Sequence, residues 1–194
     1  MKRLLLAIIF SIPLVTFGQK SPFGLINTEA GSQLCLEARK DNGGSYCLSI
    51  THYYKTIFGE GSFLVVEIPS DQIINFKSQL RQVRDKYDEW YKIAKANNVE
   101  SVEKGIPVEI TAFGDIYGEV SSPEEKSMKA VFFVANYNIH CIIKLFISGY
   151  NTNQFSEWVL TSSDMDKILT EIDNTIQLQR EYDNKRNQTL DLFK

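Results

Sequence analysis

Three cysteines and two histidines are the sharpest reagents in the chain: Cys35, Cys47, Cys141, His52 and His140. A thiol activated by an imidazole is a strong nucleophile, provided the two groups come within hydrogen-bond reach. His140 and Cys141 are neighbours in an extended pattern, where successive side chains leave opposite faces, so they cannot meet. Cys47 and His52, five positions apart, also fall on opposite faces. Only cross-strand pairs remain, His52 with Cys141 or His140 with Cys47, and nothing in the spacing brings either together. Cys141, set among Ile139, Ile143 and Leu145, reads as core.

Metal binding needs three or four converging ligands. The spacings that make convergence local, Cys-x-x-Cys or His-x-x-x-His, are absent, and Cys35, Cys47 and His140 would have to meet across strands. The Gly59-Glu60-Gly61 pair lacks a third glycine and precedes a strand where a phosphate cradle requires a helix. No nucleophile elbow, zinc-protease or nucleotide-hydrolase pattern occurs. Glycoside cleavage asks only for two carboxylates about 5 to 10 Å apart, for which Glu67, Glu109, Asp115 and Glu119 are candidates. Alternation makes Glu67 and Glu109 solvated faces of their strands, and Trp90 and Trp158 fall on core stripes rather than in a cleft. No catalytic residue, metal or cofactor is assigned.

Aromatic residues are the remaining functional signal. His52, Tyr53, Tyr54 and Phe58 cluster at one strand end, with Phe113, Tyr117 and Tyr137 at other strand ends and turns. Tyrosine at loop tips gives a large contact area at low entropic cost, as recognition surfaces use. His52, Tyr53, Tyr54, Phe58, Tyr117 and Tyr137 are therefore the candidate binding residues. The competing reading is that they close the ends of the core.

The chain opens Met1-Lys2-Arg3, continues with about a dozen largely apolar residues, and reaches Thr16-Phe17-Gly18, the pattern of a secretory signal peptide. That run is too short for the roughly 20 residues of a spanning helix. Residues 1–18 are read as the signal, with no membrane span after cleavage, and 19–194 as one domain that is exported, periplasmic or extracellular. Removing 1–18 takes away two of the 21 basic residues and none of the 24 acidic ones, leaving a net charge of −5. A mild acidic excess argues against nucleic acid as a partner, since a phosphate backbone asks for a clustered basic face. Another envelope or extracellular protein fits better; oligomeric state is not legible.

These residues need elements to hold them. Gln33–Arg39 and Tyr46–Tyr54 alternate around Asp41-Asn42-Gly43-Gly44, predicting a hairpin. Matching its apolar faces puts Cys35 and Cys47 on one side but not opposite, so a disulfide between them would need a shifted ladder. Residues 62–68 predict a central strand. Ser70 or Asp71 is expected to cap a helix with Ile73, Phe76, Leu80, Val83, Tyr87, Trp90 and Ala94 on its inner stripe. Its charges pair four apart, Arg81 with Asp85 and Asp88 with Lys92, as a solvated face does. Residues 99–105 read as a polar link, 106–117 as a strand, and 118–126 as an exposed loop. Residues 128–135 and 139–147 form a second hairpin, and Phe155–Leu160 a further strand. Ser162-Ser163-Asp164 caps a second helix with Met165, Ile168, Ile172 and Ile176 inward, frayed beyond Leu178.

The fold class expected is α+β: a single curved, mostly antiparallel sheet of about seven or eight strands with two long helices on one face. Residues 33–96 and 127–186 run through the same order of hairpin, strand, Ser-Asp and helix, a candidate half-repeat. The function read from the sequence is an exported, non-catalytic binding or accessory protein of the cell envelope. The alternative is a small secreted hydrolase using dispersed carboxylates or a cross-strand Cys-His pair.

Overall fold

The computed structural model describes residues 23–53, 63–116, 125–146 and 155–192. The chain is α+β. Four strands, β1 (Phe23–Asn27), β2 (Gln33–Lys40), β3 (Tyr46–Tyr53) and β4 (Phe63–Ile68), lead into helix α1 (Ile73–Ala96). Four more, β5 (Ser101–Ile116), β6 (Glu125–Ala135), β7 (Asn138–Phe146) and β8 (Phe155–Leu160), lead into helix α2 (Ser162–Asp191). All neighbouring strands pair antiparallel in chain order.

In place of one uniform sheet, the strands make two four-stranded antiparallel halves. They meet at β4 and β5 through a short ladder, from Leu64 opposite Ile116 to Glu67 opposite Phe113. The reason lies in β5, whose first residues run beyond the end of β4 and pair with β6 alone. Its register against β6 also shifts between Gly105 and Glu109, beside Pro107, which has no N–H to give a ladder.

The helices bind the halves together crosswise. Helix α1, which follows the first half, lies chiefly over β5, whereas α2, which follows the second, lies over β1 and β2. Period-2 alternation in the strands supplies the covered face: Leu34, Leu36, Leu48, Ile50, Val66 and Ile68 from one half, Ile110, Met128, Cys141, Ile143, Trp158 and Leu160 from the other, all buried. Phe76, Leu80, Val83 and Tyr87 of α1 and Met165, Ile168 and Ile172 of α2 close over them. Each large apolar side chain so buried contributes about 2 kcal/mol, so the layer between sheet and helices dominates stability.

The helix starts differ from expectation. Gln72 is the N-cap of α1 and no side chain caps it. Residues 69–72 instead form a turn, with the Gln72 N–H donating to Pro69 O, and Ser70 Oγ is drawn to Asp41 Oδ2 in the β2–β3 turn. Helix α2 begins one residue earlier than expected, in a capping box of Thr161 and Asp164. Nor does it fray after Leu178. Gln179 is buried, and Tyr46 Oη donates to Asp183 Oδ2 at 2.8 Å, with Lys40 at 3.4 Å, pinning the later turns to the β2–β3 hairpin. Burial would raise the Asp183 carboxyl, but hydrogen bonds from Tyr46, Gln179 and Lys40 hold it below the ordinary carboxylate value.

Two strand limits also move. Residues 101–105, read as a link, begin β5, because β6 offers partners from Val131 to Ala135 to that polar stretch. Glu125 and Lys126, read as loop, begin β6 opposite Phe113 and Ala112. Strand β1 has no counterpart in the sequence reading.

Candidate functional site

Helix α1, the β6–β7 turn, the start of α2 and the β1–β2 turn enclose a cleft of about 380 Å³. Tyr87, Tyr91 and Lys95 enter it from one face of α1, since residues four apart lie one above the other on a helix. Tyr137 and His140 come from the hairpin, Ser162 and Ser163 from α2, and Glu29 from the first turn. Behind the cleft, the Tyr87 and Tyr91 rings lie 5.9 Å apart and Tyr87 stands 5.8 Å from Phe132. Tyr87 Oη donates to Ile139 O at 3.2 Å, which fixes α1 to β7. Burial pushes its phenol well above the usual value.

The rim is more open. Tyr137 is 57% exposed and Tyr91 38%, and Lys95 Nζ lies 5.6 Å from the Tyr91 ring centre. Tyr137 occupies the second position of a two-residue hairpin loop with φ +64°, after Asn136 at φ +49°. Such loops need both residues left-handed, and Asn-Gly is the sequence that does it without strain. Tyrosine there costs about 1 kcal/mol. The Tyr137 N–H donates to Glu100 O at 3.3 Å, so the loop is held as well as strained.

Electrostatically the cleft carries the acids Glu29 and Asp88 against Lys95. Asp88 Oδ2 accepts from Ser162 Oγ at 3.0 Å, so that hydroxyl is committed to a carboxylate rather than to a histidine. His140 borders the same cleft along β7, but the buried Ile139 and Cys141 on either side of it turn its imidazole to the open face of the sheet. A serine and an aspartate therefore share the site without the nucleophile-to-base contact that covalent catalysis requires.

The six candidate binding residues part company. Tyr137 is at the rim. His52 is 4% exposed on the helix-covered face of β3, and burial lowers its imidazole to about 4, so it is a neutral core residue and not a surface contact. Alternation explains this, for His52 shares a face with Ile50 and Leu48. Tyr53 ends β3, opposite Phe63 and Gln33. Tyr54, Phe58 and Tyr117 lie outside the described residues. Sequence reasoning misses Tyr87, which reads as part of the inner helix stripe, and Tyr91, which lies off that stripe and is not singled out.

The other sequence candidates stand apart. His52 and Cys141 share the covered face, and Cys47 and His140 the open one, but each pair spans β3 to β7. Four strand spacings put about 19 Å between them. Cys35 sits opposite Thr51 and Cys47 opposite Arg39, and all three cysteines are free. Burial raises all three thiols, Cys141 to about 12. Glu67 pairs with Phe113, four residues along β5 from Glu109, so the two carboxylates are about 14 Å apart, beyond glycosidase spacing. Asp115 lies on β5; Glu119 is outside the described residues. No group of three His, Cys, Asp or Glu among the described residues could hold a metal ion.

Some α1 charges pair along their own helix, as Lys86 does with Glu89 at 2.5 Å, and others reach α2. Arg84 bonds Asp166 as well as Asp85, and Lys77 Nζ lies 2.5 Å from Asp173 Oδ2. Packing beside α2 gives those cations carboxylates where the sequence pattern anticipates water. No described helix is long and apolar enough to cross a membrane.

Models of known protein families do not match the chain, and searches of curated proteins and of solved structures likewise find no match.

Proposed function

We propose that the chain is an exported, non-catalytic binding or accessory protein of the cell envelope, and that it recognises another envelope or extracellular protein through the tyrosine cleft. Tyr137 carries this reading. A mostly exposed aromatic ring sits where glycine would relieve the backbone. Strain retained in favour of an exposed side chain is a mark of a working contact. Tyr91 and Lys95 beside it supply a flat ring and a cation, groups well suited to aromatic or acidic side chains of a partner.

Export rests on the pattern of residues 1–18. On the same reading the two halves, each of four strands and a helix, are copies of one unit. The recurring element order supports this, while the helix starts, built by different chemistry, do not.

Photo-cross-linking in the producing cell tests the role of the cleft. A photoreactive side chain at position 137 should give a discrete covalent adduct with an envelope protein, and one at Gln177, on the exposed face of α2, should not. Equal labelling from both positions would refute the assignment.

A further inference from the structure

Among the described residues strand β1 is an edge of the sheet, and its sequence Phe-Gly-Leu-Ile-Asn has none of the guards edge strands carry: no charge, no proline, no bulge in its ladder to β2. The other edge, β8, carries Glu157, which reaches Lys144 at 3.6 Å. Phe23 and Leu25, each 49% exposed, stand on the open face of β1. Alongside β1 runs a groove of about 590 Å³, walled by α2 through Lys167, Thr170 and Glu171.

We infer that β1 pairs antiparallel with β1 of a second copy, about a twofold axis at Leu25. Backbone polarity fixes the register. The Thr28 N–H donates to Ser32 O, making that pair the hydrogen-bonded end of the β1–β2 ladder. Alternation then turns the N–H and C=O of Phe23, Leu25 and Asn27 outward. Centring on Leu25 uses all three, setting Leu25 against its own copy and Phe23 against Asn27.

Charge selects a second copy over a foreign strand. Glu171 lies over Gly24, so close that a Cβ at 24 would collide with its Cγ, and Lys167 is one turn earlier on α2, near Ile26. The twofold places Gly24 opposite Ile26 of the second copy, and so brings each Glu171 toward the other Lys167. Lys167 is 47% exposed and can reach across while remaining near Asp164. Because α2 rides above β1 and β2, a strand spacing of about 4.8 Å puts the two α2 axes about 10 Å apart, an ordinary helix-packing distance.

Sedimentation of the purified chain over a concentration series reads the outcome. Two-copy mass is expected. Leu25→Pro, whose lost N–H points outward, should give a monomer with unchanged far-ultraviolet circular dichroism, and Leu25→Lys provides the same test without altering the backbone. K167E and E171K should each weaken dimerisation roughly tenfold, and the two together should restore it. A monomer at every concentration would overturn the inference, even one that captures a foreign strand. So would a dimer indifferent to both Leu25 variants, single charge reversals without effect, or a double reversal as weak as the single ones.

Discussion

The carboxylate of Asp164 accepts the backbone N–H of Glu29 at 3.2 Å, joining the start of α2 to the β1–β2 turn across 135 residues of sequence. The same group accepts the Thr161 N–H at 3.1 Å and takes Lys167 Nζ at 3.1 Å, and the side chain is fully buried. One aspartate thus caps a helix and fastens the first half of the molecule to the second.

Asp164→Ala should therefore cost about 3 kcal/mol, because it removes a cap and leaves buried N–H groups unpaired. Ser162→Ala, which loses a single hydrogen bond to Asp88, should cost about 1 kcal/mol. Urea unfolding of both variants checks the ratio. Equal losses would mean that the link to Glu29 contributes nothing.

His52 should make stability fall in mild acid. Its folded pKa of about 4 lies below the ordinary 6.5, so the unfolded chain takes up a proton that the folded chain refuses. Stability is unaffected above pH 6.5 and falls progressively between 6.5 and 4, by on the order of 3 kcal/mol in all. Urea midpoints across that window should drop, and His52→Gln should flatten the drop.

How much of this is legible in the sequence depends on whether a residue's neighbours are local. The stripe Phe76, Leu80, Val83, Tyr87 of α1 and the alternation of β2, β3 and β7 follow from period alone, and the structure buries those positions. His52 reads as a surface residue although it shares Ile50's parity, because the aromatic cluster beside it outweighs alternation. Asp164 reads as a cap, but its bond to Glu29 depends on two segments far apart in sequence. So does the crosswise seating of the helices, which sends Arg84 to Asp166 instead of leaving Arg81 to pair with Asp85. Strand β1 escapes a sequence reading because five residues ending in Asn give too short a pattern.

Thiol labelling of the native chain should be graded. Cys47 is half-buried, Cys35 is 7% exposed and Cys141 is sealed. Burial also raises each thiol, leaving little thiolate at neutral pH. A maleimide should modify Cys47 first, and Cys141 at the rate of global unfolding, as peptide mass mapping over time would reveal. Early modification of Cys141 would contradict the packing described for β7.

Tyr137→Gly should leave the fold as stable as before or raise its stability by up to about 1 kcal/mol, since glycine relieves the left-handed backbone and the deleted ring is mostly exposed. Thermal unfolding measures the change. A loss of about 2 kcal/mol or more would mean that the ring is structural, contrary to the role assigned to it.

The assignment of the cleft is tested most directly by quantitative capture from the envelope of the producing cell. The intact chain is compared with Tyr91→Ala/Tyr137→Ala, and with Tyr53→Ala/Tyr54→Ala. Deleting two exposed aromatic rings from a recognition surface should lower the recovered partner at least roughly tenfold for the first pair. The second pair should recover as much as the intact chain. Undiminished recovery by Tyr91→Ala/Tyr137→Ala would contradict the account.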